Sequence, residues 1–181
     1  MLLGKKLFVP MIFTFVGLNL YAQGNGFTYK PFFGGGGATA MFAGNGGYGI
    51  GGYGEYAFLI YEDGLQIGSH IIGRGDRITS ESGNKYGTGS IIERISFGGF
   101  LPNIISRSYG FFEGGFGIGG GNETFAINVL FGGGGGIDLF YHRKGSIYLE
   151  AGYLQYYVKN ELIGGVSISI GTRGYIKAVN Y

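Results

Sequence analysis

Residues 146–158 read SIYLEAGYLQYYV, and this stretch decides the fold because apolar and polar side chains alternate along it. One face of an extended chain would carry Ile147, Leu149, Ala151 and Tyr153, and the other Tyr148, Glu150, Gly152 and Leu154. Successive side chains of a β-strand point to opposite faces of the sheet. The stretch therefore predicts a strand with one apolar face and one mostly polar face.

The same alternation recurs along the chain after residue 26, and it predicts about eight strands. They fall at residues 32–42, 50–60, 65–74, 89–101, 108–119, 125–141, 146–158 and 166–176. Each apolar face is opposed by glycine, tyrosine, hydroxyl groups and single charges. That pattern is typical of a transmembrane β-barrel, with the apolar faces toward lipid and the polar faces inside.

Glycine content excludes several other fold classes. The chain has 42 Gly among 181 residues, with 16 Phe, 15 Tyr and no Cys. Each Gly inside a helix costs about 0.5–1 kcal/mol relative to Ala, so a helical protein is excluded. Gly does not recur at every third position, which excludes collagen. The remaining fold class is a β-protein with closely approaching strands, in which Gly lies opposite an aromatic ring. The absence of Cys excludes disulfides and thiolate chemistry.

The N-terminal 22 residues have the three parts of a secretory signal peptide. Lys5 and Lys6 precede an apolar run, and Ala22 offers a small residue at the cleavage point. We expect a signal peptide at 1–22 and one barrel domain at 23–181, with a retained anchor helix as the alternative. Of 13 basic residues, two leave with the signal, so 11 balance the 11 acidic ones. The sequence contains no run of Lys or Arg that would indicate nucleic-acid binding.

Residues 23–181 thus resemble the small eight-stranded outer-membrane barrels of Gram-negative bacteria, of the OmpA/OmpX type. The resemblance rests on the strand alternation and on connections at 62–64, 102–106 and 142–145 that look like short turns. It implies an all-β, antiparallel up-and-down barrel in the outer membrane, monomeric, in contact with membrane lipid and inserted by the barrel-assembly machinery.

Two features depart from this type of barrel. Without Trp, an interfacial aromatic belt would need tyrosines, and the candidates are Tyr48, Tyr141, Tyr153, Tyr156 and Tyr157. The terminal aromatic residue, Tyr181, falls out of phase with the apolar row that begins at Val166. It closes the last strand only if a bulge intervenes, so recognition by the assembly machinery through Tyr181 is left open.

Charged side chains on the polar faces are predicted to line the barrel interior. These are Glu55, His70, Arg74, Glu113, Asp138, Glu150 and Arg173, with Arg94 as an addition. Glu93 and Arg94 point to opposite faces of their strand, so one of the two is expected at the barrel rim. An eight-stranded barrel is just wide enough for side chains to fill, so we expect no open pore. The favoured interpretation is an ion-pair network that fills the barrel. The alternative is a gate or small polar ligand site, with room left by Gly115, Gly117, Gly132 and Gly134.

Residues 77–88 are predicted to form the longest outer connection, and they are polar. We expect a surface-interaction role here, carried by Arg77, Glu81, Asn84 and Lys85, with the surface or host ligand unknown. The tripeptide Arg74-Gly75-Asp76, which some integrins read, lies at its entrance and offers adhesion as a weaker hypothesis.

Catalysis is not expected, and we predict no catalytic, cofactor-binding or metal-binding residues. His70 follows Ser69, but adjacent strand residues point to opposite faces, and His142 lies in a basic turn without a nearby acid. Two alternatives stay open. One is a barrel enzyme acting on membrane lipid, which requires a Ser near His70. The other is a soluble secreted β-barrel that binds an apolar ligand, which the 13% charged residues disfavour.

Overall fold

The chain folds into a closed eight-stranded barrel, seen in a computed structural model that describes residues 28–43, 46–62, 65–100, 106–121, 124–142 and 145–175. The predicted signal peptide, its cleavage point and Tyr181 lie outside these residues. The strands are β1 (Thr28–Phe42), β2 (Tyr48–Glu62), β3 (Leu65–Thr79), β4 (Lys85–Phe100), β5 (Ser106–Gly121), β6 (Thr124–His142), β7 (Gly145–Val158) and β8 (Glu161–Tyr175).

Every strand pairs antiparallel with the next along the chain, and β8 pairs with β1 to close the barrel. Thr39, for example, lies opposite Gly51 of β2 and Ser169 of β8. The predicted all-β, up-and-down barrel is confirmed. We call the end where β1 begins and β8 ends the inner end. The opposite end, which carries the β1–β2, β3–β4, β5–β6 and β7–β8 connections, is the outer end.

The strands run further toward the outer end than predicted. The prediction of a long connection at 77–88 was wrong. β3 continues to Thr79 and β4 begins at Lys85, because Ile78 pairs with Tyr86 and both side chains are buried inside the barrel. Only residues 80–84 connect them, in a turn where Gly83 has a positive φ of 81°. β8 likewise starts at Glu161, because Lys159 and Asn160 form a tight hairpin turn with φ of 46° and 65°.

Side-chain polarity is inverted relative to a soluble protein. Large apolar side chains cover the outside, such as Phe112 at 68% exposure, Phe125 at 84% and Ile127 at 70%. The interior holds the charged side chains, with an apolar cluster near the outer end that includes Met41 and Ile163. The described part of the chain contains no helix of the length and apolarity needed to cross a membrane.

Three of the tyrosines predicted for the interfacial belt do lie on the outside. Tyr48, Tyr153 and Tyr157 are each about half exposed, at 51%, 52% and 45%. Tyr156 was predicted wrongly, since it shares the inward phase of Glu150 and donates a hydrogen bond to Asp76 inside the barrel. The side chain of Tyr141 lies outside the described residues.

Glycine lets aromatic side chains lie flat against the barrel wall. A Cβ added at Gly171 would overlap the Tyr148 hydroxyl and the carbonyl oxygen of Gly36. At Gly136 it would come within 2.7 Å of the Tyr109 ring. These glycines therefore serve close approach, whereas an added Cβ at Gly89, on the outer surface, would meet nothing within 4 Å.

We predict that Gly171→Ala lowers barrel stability by about 1–3 kcal/mol, because the added methyl group forces Tyr148 and the wall apart. The matched variant Gly89→Ala is expected to fold as the parent does. The measurement is the urea midpoint in lipid vesicles, with the heat-dependent mobility shift on SDS gels reporting closure. Equal midpoints for both variants would contradict this role of Gly171.

Candidate functional site

All seven side chains predicted for the interior lie inside the barrel and are buried. They are Glu55, His70, Arg74, Glu113, Asp138, Glu150 and Arg173. Arg94 joins them, together with two charges that the sequence reasoning had not assigned, Asp76 and Arg107. Each lies an even number of residues from a side chain already assigned to the interior: Asp76 from Arg74, and Arg107 from Glu113. Extending each predicted strand by two residues would have found them.

Arg173 is the centre of the inner half of this network. Its Nε binds Glu55 at 2.5 Å, Nη1 binds Asp138 at 2.7 Å and Nη2 binds Glu150 at 2.9 Å. Its guanidinium also lies 4.1 Å from the centre of the Tyr148 ring. One cation of β8 thus holds carboxylates of β2, β6 and β7, which spans the interior.

Arg94 continues the network to the opposite wall. It contacts Glu113 and Glu150 at 2.7 Å each and stacks on Phe111 with 4.1 Å to the ring centre. Oε1 of Glu150 accepts hydrogen bonds from Arg94, Arg173 and the Tyr109 hydroxyl. Glu150 therefore couples the two arginines into one connected cluster.

Toward the outer end a second group surrounds Arg74. Arg74 binds Asp76 at 2.9 Å and lies 3.8 Å from Glu113, while the Tyr156 hydroxyl donates to Asp76 at 2.9 Å. Both charges of the Arg74-Gly75-Asp76 tripeptide are thus directed inward and paired with each other. An adhesion role for this tripeptide has no support in that geometry.

Four interior glycines were expected to leave open space, but neighbouring atoms occupy the space beside each of them. A Cβ at Gly132 would lie 2.6 Å from Leu154 and 3.0 Å from Glu113. At Gly115, Gly117 and Gly134 it would overlap the backbone of the adjacent strand. The open space required by the gate or ligand-site alternative is absent at these four positions.

His70 joins two partners inside the barrel. Its Nδ1 lies 3.0 Å from Oε2 of Glu55, and its Nε2 lies 2.8 Å from the hydroxyl of Ser96. Ser69 faces the outside, as the alternation predicted. The pairing with Ser96 was not predicted, although Ser96 has the inward phase of Arg94. Among the described residues, no group of three His, Asp or Glu is placed to hold a metal ion.

The sequence left open which of Glu93 and Arg94 lies at the barrel rim, and neither does. Arg94 is inside, and Glu93 faces outward as the ninth of the 16 residues of β4, between Ile71 of β3 and Gly114 of β5. One Glu93 oxygen, Oε1, is buried and has no hydrogen-bond partner. The rim expectation was wrong because β4 starts four residues earlier than predicted.

The four residues predicted for surface interaction lie at the outer end. Glu81 and Asn84 are exposed in the 80–84 connection, whereas Arg77 and Lys85 are exposed on the flanking strands. Asn84 donates to Glu161 at 2.7 Å and Ser82 donates to the same carboxylate at 3.3 Å. Because Glu161 begins β8, across the barrel from β3 and β4, the connection spans the outer mouth.

Comparisons with known proteins find distant structural matches and no match in sequence. No protein family and no curated protein matches the sequence. Among solved structures, the crystal structure of Neisserial surface protein A (NspA) is 15% identical with a TM-score of 0.49, over 83% of this chain and 97% of that one. The translocator domain of autotransporter NalP from Neisseria meningitidis is 12% identical with a TM-score of 0.41, over 92% and 96%. The finer assignment to the OmpA/OmpX type stays a prediction.

Polarity decides where the barrel resides. A closed antiparallel barrel satisfies every ladder hydrogen bond without a free edge, which is the condition for strands in lipid. Its apolar outside and charged inside are the organisation of an outer-membrane barrel. The chain is an integral protein of the outer membrane.

We predict that Arg173→Met destabilises the barrel by about 3–5 kcal/mol, because Glu55, Asp138 and Glu150 lose a shared partner in a buried site. The matched control is Thr172→Met, which changes the adjacent residue on the outer face. Urea unfolding in vesicles of fixed composition measures both. Similar unfolding midpoints for the two variants would show that the network is dispensable for stability.

Proposed function

We propose that this protein is a non-conducting barrel with a structural and surface-interaction role in the outer membrane. The observation that carries the proposal is the chain of ion pairs from Glu55 through Arg173 and Glu150 to Arg94, which crosses the interior. Ions would have to displace these paired side chains to pass. The 80–84 connection adds a second obstruction at the outer mouth.

The surface-interaction part of the proposal concerns the outer end. Glu81 and Asn84 lie exposed there, and the hydrogen bonds to Glu161 hold the connection in one position. A fixed polar surface suits recognition better than a mobile loop, because less conformational entropy is lost on binding. We propose insertion by the barrel-assembly machinery and a monomeric state, since closure of β1 on β8 leaves no strand edge to pair with another chain.

We expect no stable conductance steps when the purified protein is inserted into planar lipid bilayers. The comparison is the double variant Arg94→Ala, Glu150→Ala, which leaves the net interior charge unchanged, removes the ion pairs that link Arg173 to Arg94 and Glu113, and is expected to leak small ions. Retention of the heat-dependent gel shift confirms that both proteins are closed barrels. Steady conductance of the parent protein would overturn the non-conducting assignment.

One arrangement bears on the enzyme alternative. Ser96, His70 and Glu55 form a hydrogen-bonded row in the order nucleophile, base and carboxylate. Ser96 is 1% exposed and His70 is fully buried, so a lipid ester outside the wall has no contact with the serine. The second Glu55 oxygen holds Arg173. We propose that this row is part of the filling and that the protein is not an enzyme.

Labelling with a fluorophosphonate probe tests this proposal directly. We expect no adduct at Ser96 in the folded barrel, because the reagent does not reach a buried hydroxyl. Ser96→Ala is the control for background labelling. An adduct on the parent protein that is lost in Ser96→Ala and in His70→Gln would favour the barrel enzyme instead.

A further inference from the structure

A broad groove lies on the lipid-facing side of the barrel, toward the outer end. Its volume is about 1280 Å³, and its floor is formed by small residues, among them Ala38, Ala40, Gly75, Gly87 and Gly89. Larger side chains border it, with Ile168 and Ile170 of β8 at one side and Ile118 and Phe125 at the other. The groove is open to its surroundings and mostly apolar, so hydrocarbon chains can lie along it.

The glycines of this floor differ from those inside the barrel. A Cβ at Gly89 would meet nothing within 4 Å, and one at Gly75 would meet only the carbonyl oxygen of Thr88 at 3.8 Å. No packing contact of the fold requires glycine at these two positions. Their effect is to keep the surface concave where a strand would otherwise present side chains to lipid.

Two cations stand at the outer end of the groove. Arg77 and Lys85 are exposed on adjacent strands, and a further cavity of about 510 Å³, lined by both and by Tyr48, adjoins the groove at Ile50 and Gly87. Within the described residues neither cation has an ion-pair partner, whereas Arg74, Arg94, Arg107 and Arg173 all pair inside the barrel. Lys159 donates to the carbonyl of Gly121, at the edge of the same cavity.

We propose that this surface binds an anionic, phosphate-bearing lipid of the outer leaflet. Arg77 and Lys85 receive the phosphate, and an acyl chain lies along Gly75, Gly87 and Gly89. Arg and Lys bind phosphate through charge-assisted hydrogen bonds, and cations close to a membrane surface attract anionic headgroups. The proposal rests on the membrane-barrel function above and gives its outer rim a specific ligand class.

Charge also argues against the competing occupant, a second copy of the chain. A two-fold symmetric contact through this groove would bring Arg77 and Lys85 toward the same two cations of the partner. Like charges brought together at such a contact repel each other. A phosphate supplies the opposite charge, and its attached chains supply the apolar filling.

Native mass spectrometry of the full chain tests the site. The barrel is released from micelles that contain equal amounts of phosphatidylglycerol and phosphatidylcholine with identical acyl chains. We expect preferential retention of phosphatidylglycerol, and a loss of that preference by about 10-fold or more in Arg77→Gln, Lys85→Gln. Gly89→Leu, which fills the floor, is expected to reduce retention of both lipids.

Glu93→Gln is the matched control, since it changes one charge on the outward face of β4 but lies outside the groove and the adjoining cavity, and it is expected to keep the preference. Equal retention of the two lipids by the parent protein would overturn the proposal. Displacement of the bound lipid by millimolar inorganic phosphate would also overturn it, because the site would then be an anion site without an acyl subsite. The gel shift and conductance report on the barrel itself, so failure of the lipid site is distinguishable from failure of the proposed function.

Discussion

Pairing of buried charge is the constraint on which the rest of the structure depends. Arg94 and Arg173 lie in an interior from which bulk water is excluded, where an unpaired guanidinium would cost several kcal/mol. Both are held by Glu150, and Glu150 reaches both only because closure of the barrel places β4 across the interior from the neighbouring strands β7 and β8. Closure and pairing therefore require each other. An opened barrel would expose the strand edges and separate these ion pairs at the same time.

Glycine makes that packing possible within the narrow space of eight strands. Tyr148 stacks on Arg173 while its hydroxyl lies against Gly171, and Tyr109 binds Glu150 while its ring lies against Gly136. A β-carbon at either glycine would push the ring inward and displace the charged partners. The glycines and the charged cluster are thus parts of one arrangement, and the high glycine content has a cause beyond backbone flexibility.

Alternation in the sequence was enough to predict the strands and the face on which Glu55, Arg173 and the other interior charges lie, because a period of two assigns each residue to one side. The extent of the hairpins was not predictable in the same way. Residues 77–88 are polar, and polarity alone does not separate a loop from a strand whose inward residues, Ile78 and Tyr86, fill the barrel. The contact of His70 with Ser96 depends on the register between β3 and β4. The alternation within one strand does not determine how that strand is aligned with its neighbour.

Glu93 is a charged residue on the mostly apolar outer face. A carboxyl group at the middle of β4, bordered by Ile71 and Gly114, is costly against hydrocarbon, although less so than Arg or Lys. Arg77 and Lys85 are polar on the same face, but they lie near the end of their strands, where headgroups provide counter-ions. Position along the strand therefore separates the two cases. Arg77 and Lys85 lie at the depth of the charged headgroups, whereas Glu93 lies at the depth of the hydrocarbon chains.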